Sequence, residues 1–95
     1  MAKKIDNRQH PRMPITLPAR MLTAAGVIEG ETENISFNGA FIRCQKPLEP
    51  GERLMVFVQL PSNPSFNSQA EVIWSRVPRP KDKGISPGMG VKFVD

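Results

Sequence analysis

Arg8 and Arg12 stand four apart in "DNRQHPRMP", where Pro11 and Pro14 keep the backbone out of a regular helix. Two guanidinium groups on such a stretch suit an anionic partner, although a chain with seven arginines shows R-x-x-x-R readily by chance. A second set lies in "ENISFNGAF". If this is a strand, its period of two puts Asn34 and Ser36 on one face and turns Ile35 inward, so two hydrogen-bonding side chains stand side by side before a tight turn. Gly39 is expected to let the chain reverse with positive φ and to leave open a place where a ligand could lie against the backbone. The simpler alternative is that Asn34 and Ser36 bond only their own turn, as these residues commonly do.

Catalysis finds less support. His10 is the sole histidine, with no second ligand at metal spacing and no nucleophile placed near it, and reads as a loop residue. Ser36 is in no G-x-S-x-G elbow, and neither a phosphate loop nor a G-x-G-x-x-G fingerprint occurs. "GISPGMG" follows a loop and enters a strand, so its glycines read as turn residues. Glu29, Glu31 and Glu33 alternate along one strand face, a pattern that usually marks a solvated wall rather than a metal ladder. The sequence therefore predicts no enzyme and no metal.

The elements that must position these residues are strands. Ten prolines and seven glycines leave no window of about 12 residues with a clean helical period, whereas short alternating runs recur. "ITLPARMLTAAGVIEG" is read as a first strand, bent near Pro18 and ending at Gly30; "ETENIS" as a second; "AFIRC" as a third, joined by an Asn38-Gly39 hairpin. In "RLMVFVQL", Leu54, Val56, Val58 and Leu60 alternate toward the core, leaving Met55 and Phe57 on the face that is either covered or open to a partner. "PSNPSFNS" reads as a polar loop, "QAEVIWSRV" as a strand with Val72 and Trp74 on one face, "PRPKDKGISPG" as a basic loop and "MGVKFV" as the last strand. Six strands in one domain of 95 residues predict an all-β, antiparallel, closed or nearly closed small barrel, which hides its edges.

Charge is uneven along the chain. Residues 1 to 20 carry five Lys/Arg against one acid, residues 21 to 72 three against six, and residues 73 to 95 five against two, so basic ends flank an acidic middle. Lys3, Lys4, Lys81 and Lys83 read as solvated positions in a tail and a loop. No uncharged apolar run is longer than Met21 to Ile28, short of the roughly 20 residues that span a bilayer, and "MAKKIDNRQH" lacks a signal peptide's apolar region. The lone Cys44, beside Phe41 and Ile42, reads as a buried thiol in a reducing compartment. A soluble cytoplasmic protein without membrane insertion is expected.

The two sets of site residues together resemble the PilZ domain, whose hallmark is R-x-x-x-R in an N-terminal segment followed by [DN]-x-S-x-x-G on a β-barrel. "AEVIW" and "GMGVKF" are similar to that family's last two strands, so the resemblance covers nearly the whole chain. It implies a bacterial cytoplasmic receptor for the second messenger cyclic di-GMP, in which residues 1–14 form a flexible arm and residues 15–95 the barrel. The ligand carries two phosphates and two guanines. An arginine's planar fork of donors fits both a phosphate and the O6/N7 edge of guanine, which gives Arg8 and Arg12 their implied roles. Asn34 would meet a guanine edge, Ser36 a phosphate or base oxygen, and Gly39 would permit close approach.

By the same likeness Trp74 offers a stacking surface at the mouth of the site, with a core tryptophan as its alternative. Asn7 stands where the family often has a third arginine associated with an intercalated ligand dimer, which favours one cyclic di-GMP per site. The sequence ends one residue after Val94, so no substantial C-terminal helix is expected. Ligand binding would fold the arm over the Asn34/Ser36 platform and present a new surface to an unidentified effector protein. No cofactor beyond the ligand is implied. Two rivals remain: a PilZ-like adaptor that binds no nucleotide and uses protein contacts, and a small nucleic-acid-binding barrel. The second is suggested by the pI of 9.7 but disfavoured by sparse aromatics, with no tyrosine and one tryptophan.

Overall fold

Leu54, Val56 and Val58 set the pattern for the whole fold. β-branched and aliphatic side chains on alternate positions suit a pleated strand with one buried face, and all three are buried, Val56 and Val58 completely. Each such side chain contributes about 1.5–3 kcal/mol by leaving water. Leu60 lies just past the strand end and packs against the same core. The computed structural model describes residues 15–61 and 64–94. They form six strands: β1 Pro18–Thr23, β2 Gly26–Ser36, β3 Gly39–Cys44, β4 Arg53–Gln59, β5 Ser65–Arg76 and β6 Gly88–Val94. No helix occurs among the described residues, and none is long and apolar enough to cross a membrane.

Every neighbouring pair is antiparallel, and the order β1-β2-β3-β6-β5-β4 closes because β4 returns to pair with β1. Closure leaves no strand edge to template aggregation. Inward side chains from all six strands meet in one core, in which Met21, Ile42, Met89, Val56, Val58 and Val72 are the largest fully buried apolar side chains. At one end Phe66 meets Phe93 edge to face, with ring centroids 5.0 Å apart. Cys44 is buried as expected, and desolvation raises its thiol pKa.

Two boundaries differ from the sequence reading. "ITLPARMLTAAGVIEG" is a hairpin, not one bent strand: the chain reverses between Thr23 and Gly26, with Gly26 at φ 125°. The Thr23 hydroxyl fastens the reversal by accepting from the Ala25 N–H at 3.1 Å and donating to the Gly26 carbonyl at 2.8 Å. β2 then runs unbroken through Gly30 to Ser36, absorbing the stretch read as a separate strand. "PSNPSFNS" is only partly loop, because β5 begins at Ser65 and its Phe66 reaches the barrel end.

Candidate ligand site on the outer barrel wall

The polar platform depends on a bulge. Thr32 faces inward and is fully buried, and the β2/β3 register then shifts, so that Asn34 pairs with Phe41, Ile35 with Ala40 and Ser36 with Gly39. Glu33 is the additional residue. An extra residue on one strand re-aims the side chains beyond it. Ile35 packs against the core beside Ala40, which leaves Asn34 and Ser36 on the outer wall, as the strand period predicts.

Ser36 fastens its own hairpin. Its Oγ donates to Asn38 Oδ1 at 2.8 Å and lies 3.3 Å from the Gly39 carbonyl, the local bonding that the simpler alternative anticipates. The hydroxyl's acceptor capacity is not used in those contacts. The Asn38 carbonyl in turn accepts from the Phe93 N–H at 2.9 Å, tying the hairpin tip to β6.

Gly39 does not have the backbone conformation expected of it. The glycines with positive φ are Gly26, Gly51 and Gly84; Gly39 belongs to the β3 ladder, paired with Ser36 on one side and Lys92 on the other. A Cβ at this position would overlap the carbonyl oxygen of Val91 on β6. Close approach of a neighbouring strand, rather than the turn itself, is what calls for glycine here.

Trp74 also departs from the sequence reading. A second bulge, between Val72 and Trp74 in the β5/β6 register, breaks the alternation that would have put both on one face. Val72 stays in the core, whereas Trp74 is turned to the outer wall and is about half exposed. Its indole lies against Gly90, where no side chain intervenes, and its ring is 5.0 Å from that of Phe41 with the planes tilted by 32°. Phe41 is only 3% exposed although it belongs to the outward set of β3. Trp74 covers it, the bare Gly88 makes room for it, and the Arg76 guanidinium sits 4.3 Å from its ring centroid.

Arg76 is the part of this wall that sequence reasoning missed. Its Nη2 donates to Glu33 Oε2 at 3.1 Å and its Nε to the Ser86 carbonyl at 2.7 Å. It thereby joins β5, the β2 bulge and the loop before β6, and it places a cation beside the Asn34 strand. Glu33, read as the last of three solvated acids, is its ion-pair partner. Glu31 and Glu29 pair with Arg43 and Arg20 on the surface. The pairing could be read only once both bulges were known.

Arg8, Arg12 and Asn7, like His10 and the arm as a whole, lie outside the described residues. What is described is the anchor that follows them. The Thr32 hydroxyl accepts from the Leu17 N–H at 2.8 Å and donates to the Ile15 carbonyl at 2.6 Å. A surface groove of about 630 Å³ lies elsewhere, between Arg20, Leu22 and Glu29 on one side and Phe57 and Gln59 on the other, and contains none of the motif residues. No group of three His, Cys, Asp or Glu side chains able to hold a metal ion occurs among the described residues.

With the barrel, the bulged motif strand and the aromatic wall described, comparison with known proteins gives the family. The PilZ domain model matches residues 6–95, and the chain belongs to the PilZ domain family, a family of cyclic di-GMP receptor and adaptor domains. Among solved structures it is similar to the inhibitor of motility MotI/DgrA of Bacillus subtilis, with a TM-score of 0.78 and 20% identity over 98% of this chain and 44% of that one. It is also similar to the PilZ domain of YcgR from Escherichia coli, solved with c-di-GMP, with a TM-score of 0.76 and 16% identity over 95% and 79% of the two chains. A third is the PilZ domain of CeSA from a cellulose-synthesizing bacterium, with a TM-score of 0.65 and 24% identity over 90% and 82%. The chain thus spans less than half the length of the motility inhibitor. No curated protein matches the sequence.

Proposed function

We propose that this domain is a cytoplasmic bacterial receptor for cyclic di-GMP. The observation that carries the reading is the outward Asn34–Ser36 pair on a PilZ barrel, set beside the wall of Phe41, Trp74 and Arg76. Arg8 and Arg12 supply guanidinium forks to guanine edges and phosphates; Asn34 presents its amide to a guanine edge; Ser36 turns its hydroxyl from Asn38 to a ligand oxygen. Gly39 serves by keeping β3 and β6 close, so that the platform is rigid. Trp74 provides an apolar face at the edge of the site. With Asn7 before the first arginine, one ligand per site is the expected stoichiometry.

Output follows from contact rather than catalysis. Ligand binding folds residues 1–14 over the wall, and the combined surface is read by an effector protein. Hydrogen exchange in residues 1–14 therefore slows on saturation with cyclic di-GMP; unchanged exchange rejects the switch. The reading of a nucleotide-free adaptor has one observation in its favour, since the Ser36 proton is already engaged within the hairpin and Phe37 at its tip is 84% exposed. Titration with cyclic di-GMP separates the two.

A further inference from the structure

Arg76 is held from three sides. Its Nε donates to the Ser86 carbonyl at 2.7 Å, its guanidinium lies 4.3 Å from the Phe41 ring centroid, and its Nη2 donates to Glu33 Oε2 at 3.1 Å. No side chain of β6 rises between these groups, because the positions that face Phe41 and Trp74 are Gly88 and Gly90. The bond to Ser86 and the contact with Phe41 orient the guanidinium by themselves. Its Nη1 is engaged by no hydrogen bond among the described residues, and Glu33 holds Nη2 through one oxygen only.

Glu33 is free to leave where its neighbours are not. Thr32 pairs with Ile42 and Asn34 with Phe41, so Glu33 is the bulge residue, and its side chain can turn away without breaking a ladder bond. The side chains of Arg76 and Glu33 are 27% and 37% exposed, and an ion pair so open to water adds little net stability. A phosphate makes the better partner, since a guanidinium fork can grip two of its oxygens at once. The other acids of β2 are committed elsewhere, Glu31 to Arg43 and Glu29 to Arg20. With Glu33 turned away, the wall carries an unpaired cation beside the half-exposed Trp74 and one residue from the Asn34 platform.

We propose that Arg76 is a ligand-binding residue of this wall and that Glu33 is a built-in competitor for it. An incoming phosphate takes the Nη edge of Arg76, the Glu33 carboxylate turns out to water, and the bond to Ser86 with the Phe41 contact keeps the guanidinium aimed throughout. Glu33 thereby sets the affinity: it holds the site neutral when empty and repels an anion that fails to displace it. The inference rests on the cyclic di-GMP reading for the identity of the ligand, and on Arg76, Glu33 and Phe41 alone for the exchange.

The test titrates the full chain, Glu33→Gln and Arg76→Met with cyclic di-GMP. Glutamine leaves Arg76 an acceptor of the same length without the charge, so the wall is kept while the competitor is weakened. Glu33→Gln is expected to bind about 3- to 10-fold more tightly than the parent, and Arg76→Met at least about tenfold more weakly. A pair that served only the fold would not give opposite signs. Glu33→Gln binding no tighter than the parent overturns the proposal, and so does Arg76→Met binding as tightly as the parent. If Arg76→Met does not fold, Arg76→Lys, which keeps the charge but loses the fork, is judged by the same criterion. If the parent binds no cyclic di-GMP, the functional reading fails, and the exchange is judged with inorganic phosphate followed at the Arg76 Nε–H resonance. Phosphate is then expected to shift that resonance in the parent, with a lower midpoint in Glu33→Gln. No shift in either protein, or the same midpoint in both, overturns the proposal.

Discussion

Gly39→Ala is the substitution that best separates packing from turn geometry in the motif. The added methyl points at the β6 backbone: it overlaps the Val91 carbonyl oxygen and comes within 3.5 Å of the Val91 carbonyl carbon and the Lys92 Cα. None of these is the far end of a side chain that could swing away, so β3 and β6 must separate where Gly39 pairs with Lys92 and Ala40 with Val91. Overpacking of this kind costs about 1–3 kcal/mol. For a domain of this size each kcal/mol moves Tm by about 4–8 °C, so a fall of about 4–24 °C is expected. Gly39→Asn should be at least as damaging, because asparagine relieves a left-handed backbone but not a collision. Gly84, at φ 79° with nothing within 4 Å of a Cβ, is the control: there Asn should be tolerated better than Ala. Urea unfolding followed by the fluorescence of Trp74, the chain's single tryptophan, gives all four values. A Gly39→Ala protein within about 0.5 kcal/mol of the parent, or Gly39→Asn more stable than Gly39→Ala, would refute the packing argument.

Three further outcomes follow from the same wall and core. Gly90→Ala puts a methyl against the indole and must displace it, so Trp74 emission shifts while stability falls by about 1 kcal/mol or less, because the ring is half exposed; an unmoved spectrum contradicts the contact. Arg76→Met should cost more than Glu33→Gln, since it removes the ion pair, the bond to Ser86 and the contact with Phe41 together; a double-mutant cycle should give a Glu33–Arg76 coupling of about 1 kcal/mol or less that shrinks in salt. Burial raises the Cys44 thiol above its ordinary 9.0 in the fold, so below that pH both states keep the proton and the thiol adds no pH dependence. Above it the unfolded chain loses the proton first and stability declines, a slope that Cys44→Ser should abolish in unfolding measured at several alkaline pH values.

What could be read from the sequence was whatever depends on short-range pattern. The alternation of Leu54, Val56 and Val58 gives the core face of β4, and Asn38-Gly39 marks the hairpin, although its turn residues are Phe37 and Asn38 and Gly39 already belongs to β3. The Thr23–Gly26 reversal escaped because Ala24 and Ala25 have no turn chemistry of their own; a threonine hydroxyl and one glycine do the work. The bulges at Glu33 and Ile73 escaped for a deeper reason. Each is a property of two strands in register, and a one-residue shift moves every side chain beyond it to the other face. Trp74 was assigned to the face of Val72 on that account, and Arg76 could not be placed beside Phe41 and Glu33, which lie 35 and 43 positions back in the sequence. The outward Asn34–Ser36 pair was visible because its motif is local; the aromatic and cationic wall beside it is assembled by the barrel.

The central claim is that this barrel binds cyclic di-GMP through Arg8, Arg12, Asn34 and Ser36. Calorimetric titration of the full chain, of Arg8→Ala/Arg12→Ala and of Asn34→Ala addresses it most directly. The account predicts saturable binding of one ligand per chain, abolished in the double variant and weakened at least tenfold by Asn34→Ala, with all three proteins equally folded. Binding that survives loss of both arginines, or no binding by the parent, would contradict it.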